Sequence, residues 1–69
     1  MKVKILCLGR NAKELEIEDN STVEQAINQG GFPTDGAYTR HVNGNSAFDT
    51  DVLRAGDVVT LVPSVKGGN

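Results

Sequence analysis

The sequence predicts an α+β domain in which one helix lies across a mixed sheet of four to five strands, and three observations predict it. Two short segments near the start carry apolar residues at every second position and flank a turn. A capping pattern then opens a short amphipathic stretch. Late in the chain, the unbroken run Val58-Val59-Thr60-Leu61-Val62 reads as a buried strand rather than a solvated edge.

The first two segments are Lys2 to Leu8 and Glu14 to Glu18, separated by Gly9-Arg10-Asn11-Ala12-Lys13. Val3, Ile5 and Cys7 fall on one face of the first, and Leu15 and Ile17 on the matching face of the second. An antiparallel hairpin follows. Its other face sets Lys2 and Lys4 against Glu14, Glu16 and Glu18, and each exposed pair is worth less than about 1 kcal/mol. Leu6 and Leu8 put two large apolar groups on that charged face, where they are expected to meet a loop or a partner.

The helix begins within Asp19-Asn20-Ser21-Thr22-Val23-Glu24-Gln25, where both Ser21 with Glu24 and Thr22 with Gln25 have capping-box spacing. It runs to about Gln29. Val23, Ala26 and Ile27 form a narrow stripe expected to cover Val3, Ile5, Leu15 and Ile17. Gly30 and Gly31 supply the stop, and Phe32-Pro33 confirms it.

Thr34 to Tyr38 reads as a polar turn, followed by a strand through Thr39-Arg40-His41-Val42. Asn43-Gly44 is a preferred two-residue hairpin turn, because both central positions need positive φ. Asn45 to Phe48 is the expected return strand; Phe48 and Leu8 are the candidates for an exposed apolar contact patch, with burial in the core the favoured expectation for Phe48. Asp49 to Ala55 is expected to drop Leu53 into the core, and Ala55-Gly56-Asp57 to turn tightly into the last strand. That strand is expected beside the first, in parallel, at the sheet centre. Pro63 lacks an N–H and marks the end of its pairing, and beyond it Gly67-Gly68 form a tail that something else uses.

Composition narrows the function classes. At 69 residues the chain is one small domain with little room for a deep active site. Its formal charge is −2, with no basic block and few aromatic residues, which excludes nucleic acid as the main partner. No apolar run approaches the roughly 18 residues of a membrane span, so no membrane role is expected. One cysteine forms no internal disulfide, and with no leader pattern at the N-terminus a cytoplasmic location is the default. Cys7 alternates with Val3 and Ile5 and reads as structural; His41 stands alone, and no metal site is expected. Asp49, Asp51 and Asp57 lack a calcium-loop pattern and read as turn residues.

Leu53-Arg54-Ala55-Gly56-Asp57 followed by Val58 to Pro63 and Ser64-Val65-Lys66-Gly67-Gly68 resembles one family in the order of its parts: an apolar residue, a Gly-Asp turn, a hydrophobic strand, a proline and a diglycine. Val42-Asn43-Gly44 and the helix start Ser21-Thr22-Val23-Glu24 match it too. The family is that of the ubiquitin-like β-grasp sulfur carriers of thiamine and molybdopterin biosynthesis, ThiS and MoaD, and the resemblance spans nearly the whole chain. It implies a β-grasp roll over residues 1–64 with a flexible tail over 65–69.

The resemblance also implies a function. The carboxylate of Gly68 is adenylated by a ubiquitin-activating-type adenylyltransferase that threads Gly67 and Gly68 into its nucleotide site. The adenylate then takes up sulfur as a thiocarboxylate for a sulfur-accepting synthase. The chain itself is a carrier without catalytic residues or a bound cofactor, and ATP is used by the partner at Gly68. Leu8, Arg54, Val62, Val65 and Lys66 are the residues expected to contact that partner. Asn69 departs from the pattern, because it follows Gly68 and must be removed, by a protease, before Gly68 has a free carboxylate. The alternatives are an added terminal residue, or a family member that keeps the fold without the carrier's activity. Two other functions stay open: a ubiquitin-like protein modifier, and an interaction module without terminal chemistry.

Overall fold

The computed structural model describes residues 1–9, 11–32 and 38–63. Of the turn expected over Thr34 to Tyr38, residues 34–37 lie outside the described residues, as does the tail with Val65, Lys66, Gly67, Gly68 and Asn69, while Tyr38 already belongs to a strand. The elements are β1 (Lys2–Cys7), β2 (Ala12–Glu16), α1 (Val23–Gly30), β3 (Tyr38–Val42), β4 (Asn45–Ser46) and β5 (Val58–Pro63). They form one five-stranded mixed sheet in the order β2-β1-β5-β3-β4. The last strand in sequence is therefore the central strand in space, parallel to β1 and antiparallel to β3.

The first hairpin has the expected register, with Lys2 opposite Glu16, Val3 opposite Leu15 and Lys4 opposite Glu14. Its second strand begins earlier and ends earlier than the pattern suggests, because Ala12 and Lys13 already pair with Leu6 and Ile5. Lys13 is exposed, yet its amino group is not free. It crosses toward the helix end, where its Nζ donates to Gly30 O at 2.9 Å and lies 5.5 Å from the centre of the Phe32 ring. A cation suits that position, since the last turn of a helix presents unsatisfied carbonyls and the negative end of its dipole. The amino group of Met1 reaches Glu16 at 3.0 Å, the closest ion pair on this side of the sheet among the described residues.

Of the two capping boxes the sequence offers, the structure uses Thr22 with Gln25: Gln25 N donates to Thr22 Oγ1 at 3.3 Å and Thr22 N to Gln25 Oε1 at 2.9 Å. Ser21 instead turns back to Glu18 O. Two more first-turn donors are satisfied from a distant segment, Val23 N by Asp51 O and Glu24 N by Asp49 O, so the 49–53 passage holds the helix start against the body. Val23, Ala26 and Ile27 are fully buried as expected. Gly30 differs from its expected role as part of the stop. It is the last helical residue, and Gly31 alone makes the left-handed cap at φ +75°.

One core joins these parts. Val3, Ile5 and Cys7 of β1, Val59 and Leu61 of β5 and the helix stripe are closed at the ends by Ile17, Phe32 and Leu53. Cys7 is buried within it, as its alternation suggested. Among the described residues one face of the sheet is covered, so β5 buries Val59 and Leu61 while Val58, Thr60 and Val62 are half-buried on the other side. The unbroken apolar run reflects a central position more than burial on both faces.

Phe48 is a correction. The expected return strand stops after Asn45–Ser46, and Phe48 is 76% exposed instead of filling the core. The cause is a tight turn: Asp51 N donates to Phe48 O at 3.0 Å, and Asp51 Oδ2 accepts from Phe48 N at 2.9 Å. This bends the chain away from β3 directly after Ala47. The Asn43-Gly44 turn has positive φ at both residues, as expected, and Gly56 at φ +85° makes the turn into β5.

Candidate functional site

The chemistry the sequence points to lies beyond Pro63, where the described residues end. β5 runs between β1 and β3 and ends with Pro63 opposite Tyr38. On the β3 side, Thr39 Oγ1 donates to Val62 O at 3.3 Å. On the β1 side the ladder alternates from Lys4 N donating to Asp57 O to Leu8 N donating to Leu61 O, which makes residue 63 the next donor, to Leu8 O. Pro63 has no proton to give, so parallel pairing stops at Leu8. From Pro63 to Gly68 five peptide units can span at most about 17 Å.

Leu8 and Val62 are brought together here. Leu8 continues the β1 register by one residue and falls beside Val62 on the open face, where Leu8 is 43% exposed and Leu6, Thr60 and Val62 are half-buried. The two leucines that broke the alternation in the sequence thus form an apolar strip with Val62 beside the last described step of β5. Arg54 is exposed but lies before the Gly56 turn, at the other end of β5, about 20 Å of strand away. Its main chain forms the turn: Arg54 N donates to Asp57 Oδ2 at 2.9 Å and Asp57 N to Arg54 O at 3.1 Å. Val65 and Lys66 fall outside the described residues.

The sequence reading did not single out the far side of β3. An open groove of about 750 Å³ is lined there by Tyr38, Arg40, His41, Ala47, Phe48 and Asp49 among others. Arg40 Nε and Asp49 Oδ1 meet at 2.7 Å across it as an ion pair, though the N–H is poorly aligned for a hydrogen bond. His41 Nδ1 is buried without a hydrogen-bond partner among the described residues. Arg40 is the signal that was available, a charged residue at a core-facing strand position that requires a counter-ion.

Among the described residues no group of three or more His, Cys, Asp or Glu side chains is placed to hold a metal ion. No helix is long and apolar enough to cross a membrane. Asp51 and Asp57 accept main-chain hydrogen bonds in turns, as read from the sequence.

The ThiS family model matches residues 5–68, nearly the whole chain and through the second glycine of the pair. The chain belongs to the ThiS family. Solved structures agree on the fold of this ThiS-family protein. SAMP1 from Haloferax volcanii superposes with a TM-score of 0.82 at 19% identity, over 99% of this chain and 100% of the other. Subunit 1 or 2 of the molybdopterin-converting factor from Helicobacter pylori, solved as a complex of both, matches at TM-score 0.68 and 21% identity, over 99% of this chain and 100% of that one. The ubiquitin of Caldiarchaeum subterraneum matches at TM-score 0.67 and 26% identity, over 99% and 98% of the two chains. The β-grasp roll is thus the fold of this ThiS-family protein, with five strands and one helix among the described residues.

Proposed function

We propose that this ThiS-family protein is a sulfur carrier whose reactive group is the carboxylate of Gly68. The observation that supports the reading is the family match through residue 68 on a chain whose central strand is the last described element, ending at Pro63. A ubiquitin-activating-type adenylyltransferase binds the open sheet face through Leu8 and Val62, with Val65 and Lys66 on the approach and Arg54 at the far end. The Gly68 carboxylate attacks the α-phosphate of ATP, pyrophosphate leaves, and an acyl-adenylate forms. A sulfur nucleophile then displaces AMP to give the thiocarboxylate, which a sulfur-accepting synthase consumes in thiamine, molybdopterin or related biosynthesis.

Glycine suits this position for a physical reason. Without Cβ atoms, Gly67 and Gly68 pass a narrow channel in extended form and let the carboxyl carbon approach phosphate and nucleophile. The catalytic groups and the ATP site belong to the partner, and the need for ATP favours a cytoplasmic setting. Because Asn69 follows Gly68, hydrolysis of the Gly68–Asn69 bond comes first.

A second reading, a protein modifier that forms an isopeptide from Gly68, draws support from the likeness to the small archaeal modifier protein 1 of H. volcanii and to an archaeal ubiquitin. One experiment separates the two. The chain ending at Gly68 is incubated with ATP and the activating enzyme of its own cell, and intact mass is followed. An adenylate that becomes an oxygen-to-sulfur exchange on adding a sulfur donor supports the carrier; transfer to lysine supports the modifier. Failure to form any adenylate overturns both.

A further inference from the structure

The turn residue Asn43 is tied into the start of β5 by three hydrogen bonds. Its Nδ2 donates to Asp57 Oδ1 at 3.0 Å, its Oδ1 accepts from Val58 N at 3.0 Å, and its main-chain N donates to Val58 O at 2.8 Å. The next residue is Gly44, and both are exposed. A Cβ placed on Gly44 would meet nothing within 4 Å, and Gly44 N donates no main-chain hydrogen bond among the described residues. A side-chain amide carbon therefore stands one residue before a main-chain nitrogen that is sterically open and uncommitted.

We propose that Asn43 is a deamidation site, gated by its clamp on Asp57 and Val58, whose reaction loosens the start of β5. The Gly44 nitrogen loses its proton and attacks Asn43 Cγ, forming a five-membered ring. The Cγ–Nδ2 bond breaks, and ammonia leaves with the proton it needs. Water then opens the ring at either carbonyl, leaving an aspartyl or an isoaspartyl linkage in place of the asparagine. The net change consumes one water and releases one ammonia, with no redox step. Glycine permits the attack because no side chain shields its nitrogen.

The clamp opposes this chemistry. While Nδ2 holds Asp57 and Oδ1 holds Val58, the amide is kept turned toward β5, so the reaction waits for local opening. Its product cannot rebuild the clamp. A carboxylate at this position lacks the donor and faces the Asp57 carboxylate at about 3 Å, where two like charges oppose each other. The isoaspartyl form also adds a carbon to the main chain of a two-residue turn, which fixes the pairing of β3 with β4. The inference is independent of the terminal chemistry at Gly68.

The test follows the full chain at mildly alkaline pH, folded and in urea, with peptide mapping at each asparagine. In urea Asn43 is expected to react before Asn11, Asn20, Asn28 and Asn45, and folding to slow it by about tenfold or more, as loss of a hydrogen bond to a charged group implies. Asp57→Ala, which removes the Nδ2 partner, is expected to recover much of that rate in the folded chain. Should that variant not fold, the urea comparison stands alone. Equal rates for Asn43 in the folded and unfolded chain overturn the gate. Asn43→Asp, which reproduces the aspartyl product, is expected to melt several degrees lower; an unchanged melting temperature overturns the loosening.

Discussion

Gly30→Ala sets two effects against each other at one atom. Gly30 is buried at the last helical position, so alanine should gain at most about 1 kcal/mol from helix propensity alone. The added Cβ, however, would lie 3.0 Å from both Cδ2 and Cε2 of Phe32 and 3.2 Å from Leu15 Cδ1. Contacts this short require neighbours to move by a few tenths of an ångström. Phe32 has little room to do so: it is 8% exposed, its N donates to Ile27 O at 3.2 Å, and Lys13 lies over its ring. Overpacking of this kind costs about 1–3 kcal/mol, and subtracting the propensity gain leaves a net loss of about 1 kcal/mol. For a chain of this length that lowers Tm by about 4–8 °C. A double-mutant cycle with Phe32→Leu, read by urea denaturation, isolates the clash, because the smaller side chain removes the ring carbons while keeping the site apolar. The expected coupling is favourable: alanine at 30 should be better tolerated beside leucine than beside phenylalanine. A Gly30→Ala protein more stable than the parent would refute the reasoning and show that the Phe32 ring yields at less cost than the helix gains.

The remaining predictions concern the central strand. Leu61→Ala removes a fully buried side chain and is expected to cost about 2–5 kcal/mol, a large share of the stability of so small a domain, measured as a lower urea midpoint. Leu8→Asp changes an exposed position and should leave stability within about 0.5 kcal/mol, while weakening capture by the activating enzyme about tenfold or more in a pull-down titration. Unchanged capture would remove the Leu8 strip from the docking surface.

Much of this fold is legible because local chemistry and global packing agree. The alternation of Val3, Ile5 and Cys7 sets the first hairpin, Thr22 with Gln25 starts the helix, and Asn43-Gly44 makes the second hairpin. Phe48 misleads because size and apolarity argue for burial, whereas its fate is decided by Asp51, whose carboxylate turns the chain three residues later. The two adjacent capping boxes are equivalent in spacing, and only the pairing of Thr22 with Val52 distinguishes them. For the candidate site, the glycine pair is plain in the sequence and Leu8 stands out by breaking a pattern. That Leu8 meets Val62 follows from parallel pairing between residues far apart in the chain, which periodicity does not encode.

The placement of β5 has a mechanical consequence. Its hydrogen bonds to β1 and β3 lie across the strand direction, so a pull applied at Pro63 along that direction loads both flanks together. Tension on the C-terminal end is therefore carried as shear, shared among the bonds on both flanks, rather than peeling them open one after another. The partner proposed to draw the tail into a channel would pull against the stiffest axis of the sheet. The domain can be handled by its end without being unravelled from it.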